Sequence, residues 1–183
     1  MTISSRPNDL LLLVGKALAI FMQVVMAIAA VALVIAAGAL LIFSGEIAAE
    51  AAAEFGDDVG ALPGLALAGI MLVGLAIVAA LYFFFDRLRR IINTVGDGDP
   101  FLPENANRLN LMAWLLLSVH LLTVPAIGLA LFLSKWADQV DNANITVDAG
   151  LDLSGILMVI VLFILARVFR IGAAMREDLE GTV

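Results

Sequence analysis

Four long apolar runs alternate along the chain with shorter stretches that hold almost all of its charge. The runs lie within residues 10–43, 62–85, 109–133 and 153–172. Charged residues fall between the runs rather than down one face of each, so these are not the stripes of water-soluble amphipathic helices. Nor do the runs alternate like lipid-facing barrel strands, and only a helix satisfies its whole backbone within one segment in lipid. A crossing takes roughly 20 apolar residues, spanning ~30 Å at 1.5 Å per residue. The first run is too long for one perpendicular crossing. Its hydrocarbon part is placed at 17–41, with Lys16 reaching back to the interface. The fourth run is short and is expected to continue as a wet helix past Arg170. The pattern therefore predicts an all-α integral membrane four-helix bundle made of two helical hairpins. It forms a single membrane domain over 1–183, with spans at 17–41, 62–85, 109–133 and 153–172.

Basic residues orient the bundle. Arg6, Lys16, Arg87, Arg89, Arg90, Arg108, Arg167, Arg170 and Arg176 fall on one side, and only Lys135 on the other. The positive-inside rule makes the first side cytoplasmic, with both termini and the 86–108 loop inside and the 44–61 and 134–152 loops outside. The outer loops carry nine acids against one lysine, for a net −8, and the inner side is near neutral at +1.

Composition supports the reading and narrows it. Of 183 residues, 63% are hydrophobic, and the mean hydropathy is +1.08. A small soluble globule cannot bury that much apolar surface. The net charge of −7 argues against direct binding of nucleic acid. With no cysteine there is no disulfide, thiolate metal site or thiol nucleophile. The N-terminal run is far longer than the apolar part of a signal peptide, about 7–15 residues.

The first outer loop opens with Ala and Glu, so the first helix is expected to run on past the membrane, with Glu46, Glu50 and Glu54 on one face. That row reads as a solvated face rather than a cation site. Asn144-Ile145-Thr146 in the second outer loop is taken as an accidental sequon. The middle loop is the most distinctive stretch. Asp86 to Val95 should extend the second helix, with Asp86 pairing to Arg89 or Arg90 one turn on. Gly96-Asp97-Gly98-Asp99-Pro100 should break it, and Pro103-Glu104-Asn105 should open the third helix, with acid at its positive end. Phe101, between two prolines, must dock on the bundle or on a partner. The sequence around Arg167 and Arg170 echoes that around Arg87 and Arg90, and these four arginines are expected to surround Phe101. The tail acids, including Glu177, are candidates to pair with arginines of the middle loop.

Polar residues inside the spans are few. Gln23 lies in the first and His120 in the third, followed by Pro125. A structural hydrogen bond is the plainer role for His120, because no acid lies at comparable depth. Small residues such as Ala36, Gly69 and Gly74 permit close helix approach, whether in a monomer or a homo-oligomer. No catalytic motif, cofactor fingerprint or metal-ligand spacing is present, so no enzyme activity is expected.

The segments FDRLRRIINTVGDGDPFLPENANRLN and ILARVFRIGAAMREDLEGTV resemble the two signature stretches of a bacterial membrane family, the two-nine-seven-five domain of unknown function. The resemblance is most specific at Pro100-Phe101, Pro103-Glu104-Asn105, Arg108-Leu109, Phe169-Arg170, Gly172 and Glu177-Asp178-Leu179. It implies a four-span protein of the bacterial inner membrane. Members are often encoded beside a very small helix-turn-helix regulator, which implies a cytoplasmic DNA-binding partner. The combined expectation is a non-enzymatic regulatory or anchoring protein. Its partner surface would comprise Arg87, Arg90, Pro100, Phe101, Pro103, Glu104, Asn105, Arg108, Arg167, Arg170 and Glu177. The alternative is a small transporter or channel component acting as an oligomer, with Gln23 and His120 on its path.

Overall fold

The computed structural model describes residues 7–46, 49, 64–141, 150 and 152–180. Four long helices account for nearly all of them: α1 (Pro7–Ile42), α2 (Gly64–Gly96), α3 (Pro103–Asp141) and α4 (Leu153–Glu180). Each is long and apolar enough to cross a membrane, and no strand occurs among the described residues. The protein is all-α. At 1.5 Å per residue, 28 to 39 residues make helices of about 40 to 60 Å, longer than the ~30 Å hydrocarbon layer. The surplus forms the ordered ends. Large apolar side chains are exposed along the helices, among them Leu11, Val34, Leu72, Val124 and Leu157. Water would penalise that surface; lipid chains do not.

Local chemistry sets the helix limits. Pro103 takes the first position of α3, where its missing N–H costs nothing, and Glu104 follows beside the positive dipole end. The side chain of Asp152 caps α4 by accepting the Gly155 amide at 2.9 Å, a contact of about 1 kcal/mol. Pro125 lies inside α3, which continues through it. α1 ends at Ile42 with a bend at Phe43, and helical residues resume at 44–46. Glu50, Glu54 and the Asn144 sequon lie outside the described residues.

The chain packs as two compact units, each with its own contacts. The first takes its described residues from Met1–Ala27, Ala80–Val119 and Asp152–Val183. Its core is Ile91 of α2, Leu109, Met112 and Ala113 of α3, and Leu162 and Ala166 of α4. Phe84, Val95, Phe163 and Phe169 pack against this core. α1 joins through Gly15, where a side-chain carbon would meet Ile92 Cδ1 at 3.4 Å, and through Leu12 against Gly96. The second unit takes its described residues from Ile28–Ala79 and His120–Leu151. Here side chains settle onto small residues of α2: Leu33 of α1 on Gly74, and Leu129 of α3 on Gly69.

Candidate functional site

The first unit contains the most elaborate polar construction among the described residues, and it is built around the turn from α2 to α3. Gly98 has φ +85°, a conformation open to glycine at little cost. Its amide bonds the Val95 carbonyl at 3.1 Å, and the Asp99 amide bonds the Thr94 carbonyl at 2.9 Å. This pair of bonds is a Schellman closure, which satisfies carbonyls that a helix end leaves open. The chain is thereby turned back at a fixed angle.

Asn105 fixes the other side of the turn. It is fully buried, at 0% exposure. Its Nδ2 donates to Thr94 Oγ1 at 2.8 Å and to the Pro100 carbonyl at 3.0 Å. Its Oδ1 accepts from Arg108 Nη1 at 2.7 Å. The single Thr94 hydroxyl proton is best directed to the Ile91 carbonyl at 2.9 Å, leaving its oxygen to receive Asn105. One amide thus joins the last turns of α2, the loop and the first turns of α3. A buried polar group with all its partners rigidifies what it connects.

Phe101 docks on the bundle itself. Its ring lies 5.5 Å from that of Phe169 and rests on Gly172 of α4. A Cβ at position 172 would sit 2.7 Å from Phe101 Cδ1, so only glycine seats the ring this closely. The ring nevertheless remains 42% exposed. Beside it Asp99 pairs with Arg176 of α4. These residues border a cleft of about 240 Å³ shared with Pro103, Ala173 and Glu177.

Asp86 gathers Arg90 Nε at 2.8 Å, Arg87 Nη1 at 3.0 Å and Arg89 Nη2 at 3.4 Å, all within α2. Arg87 and Arg90 are thereby drawn back along their own helix. Phe101 meets Phe169 and Gly172, and Arg176 lines the same cleft. Arg167 and Arg170 are exposed on α4 and enter no ion pair among the described residues. One tail-to-loop ion pair, Asp99 with Arg176, has the base in the tail and the acid in the loop. Pro103, Glu104 and Glu177 are exposed, and Pro100 is half-buried with its carbonyl engaged. Gln23 is buried in α1 at 7% exposure, and His120 is half-buried in α3 with a partner. No cluster of three or more His, Asp or Glu suited to a metal ion occurs among the described residues.

Sequence reasoning missed Thr94, and it named Gly172 only through the family resemblance, with no role as the seat of Phe101. A glycine inside a helix, in a chain with a lone aromatic between prolines, was the available signal for the second. Four apolar helices with lipid-compatible surfaces define a multi-pass α-helical membrane protein. Within that class the chain belongs to the family described as protein of unknown function (DUF2975), whose model matches residues 46–183. The match includes α2, α3, α4 and the whole α2–α3 turn, while α1 lies ahead of it. No curated protein and no solved structure matches the chain.

Proposed function

We propose that this is a non-enzymatic regulatory or anchoring protein of the bacterial inner membrane, with both termini and the α2–α3 turn in the cytoplasm. It captures a cytoplasmic partner on the face formed by that turn and the end of α4. The observation that carries the reading is the construction of the turn. The Schellman closure, the Asn105 hub and the Phe101 seat hold a short loop rigid while leaving Phe101, Pro103, Glu104 and Glu177 exposed. Ordering a surface before binding lowers the entropy lost on association. Exposed aromatic and arginine side chains, here Phe101, Arg167 and Arg170, are the types that most often anchor a protein interface. The partner class is a small helix-turn-helix regulator, which would be held at the membrane without this chain touching DNA.

The test is co-purification of the full-length protein with a small helix-turn-helix regulator of the kind that family members are often encoded beside. The regulator is expected to be retained by the wild type. It should be lost from Arg170→Glu and Glu177→Lys, two exposed positions outside the core. Both variants should keep the wild-type melting temperature in detergent. A regulator that fails to bind the wild type, or binds both variants equally, contradicts the proposal.

A further inference from the structure

At the inner ends of α1 and α2, the two helices disagree about where the membrane ends. They run antiparallel, with Leu12 against Gly96 and Gly15 against Ile92. That register sets Asp86 level with Phe21, and Asp97 level with Leu10. Over this band α1 exposes Leu10, Leu11, Leu13, Val14 and Leu18. At the same levels α2 carries Asp86, Arg87, Arg89, Arg90, Asn93 and Asp97. The band is about 16 Å deep at 1.5 Å per residue, wider than one headgroup layer of roughly 5–8 Å. Neither plain hydrocarbon nor plain water suits both walls. An amphiphile does, with its chains along α1 and its headgroup against α2.

A cleft of about 240 Å³ opens in this band between the two helices. Leu12, Leu13 and Ile92 give it an apolar floor, and Lys16, Asn93 and Asp97 give it polar sides. Lys16 and Asp97 line the same cleft, yet they form no ion pair with each other or with any other described residue. A cation and an anion held apart across an amphiphilic cleft are complementary to a headgroup carrying both charges. We propose that this cleft binds an aminophospholipid of the phosphatidylethanolamine type. Lys16 takes the phosphate, Asp97 and the Asn93 amide oxygen take the primary ammonium over the Leu12–Leu13 floor, and the acyl chains run inward past Lys16 along the exposed Ile20 and Val24. A purely anionic headgroup would set its charge against Asp97. A choline headgroup offers no N–H to donate to the carboxylate. The inference rests on the membrane reading and is independent of any protein partner.

Full-length protein in detergent would be titrated with dioleoyl phosphatidylethanolamine, phosphatidylglycerol and phosphatidylcholine, and retained lipid counted by native mass spectrometry. Phosphatidylethanolamine is expected to be preferred. Lys16→Gln and Asp97→Asn should each reduce that preference about three- to tenfold, as expected for loss of one solvent-exposed hydrogen bond. Lys16→Arg should keep it, and unchanged melting temperatures would show that all variants are folded. Equal retention of the three lipids by the wild type would overturn the proposal, as would a preference that survives both neutralising substitutions. Soluble glycerophosphoethanolamine is expected to compete poorly. Competition as effective as that of the lipid would remove the role of the apolar wall and overturn it as well.

Discussion

Replacing Gly172 with alanine should loosen the α2–α3 turn, although the same change in an open helical position stabilises. The added methyl would meet Phe101 Cδ1 at 2.7 Å and Cε1 at 2.9 Å, whereas carbon atoms rest at about 3.5–4.0 Å. The ring must therefore leave its seat. Phe101 is 42% exposed and so has somewhat more than half its surface to lose. Full burial of a phenylalanine contributes about 1.5–3 kcal/mol, so its release costs about 1–1.7 kcal/mol. Loss of the Phe169 ring contact adds about 0.5–1.5 kcal/mol. Alanine returns about 0.5–1 kcal/mol of helix propensity. The expected net loss is roughly 0.5–2.5 kcal/mol, confined to the loop. Hydrogen exchange reads it at the bonded amides of Gly98, Asp99 and Asn105, which should exchange about 2- to 70-fold faster. In a Phe101→Ala background the clash is absent, and Gly172→Ala should then stabilise by about 0.5–1 kcal/mol. Stabilisation in both backgrounds would show that the ring does not sit on Gly172.

Removing the Asn105 side chain strands the Pro100 carbonyl and unseats Arg108. Asn105→Ala should lower stability by about 2–4 kcal/mol, checked by denaturant unfolding in detergent. A change under about 0.5 kcal/mol would contradict the hub described for it. Asp86→Asn leaves three adjacent guanidinium groups without their shared carboxylate. Because those arginines are partly exposed, the loss should be only about 1 kcal/mol, shrinking as salt is raised in thermal unfolding. A loss independent of salt would assign Asp86 a packing role instead.

The fold was largely legible because lipid imposes one requirement, an unbroken apolar helix, that sequence reports directly. Helix limits were legible where a residue has a single physical use, as with Pro103 opening α3 and the Gly–Asp–Gly–Asp–Pro run ending α2. Asp86 with its arginines was also accessible, since helical spacing alone brings them together. Three features were not. Which way Phe101 turns depends on a seat on α4 about 70 residues away in sequence, and no local pattern encodes that. The Asp99–Arg176 pair is equally long-range. The Thr94–Asn105 contact depends on the angle at which the turn returns the chain, and that angle is set by backbone bonds around Gly98.

The functional account requires the α2–α3 turn to face the cytoplasm, and single cysteines test this directly because the chain has none. Gly98 is a poor probe site, since its φ of +85° disfavours a side chain. Glu104 and Glu46 are exposed and lie outside the expected spans on opposite sides. In intact cells a membrane-impermeant thiol reagent that crosses the outer membrane should label Glu46→Cys and leave Glu104→Cys untouched. In inverted inner-membrane vesicles the pattern should reverse. Labelling of Glu104→Cys in intact cells, with Glu46→Cys protected, would put the turn on the outer side and contradict the account.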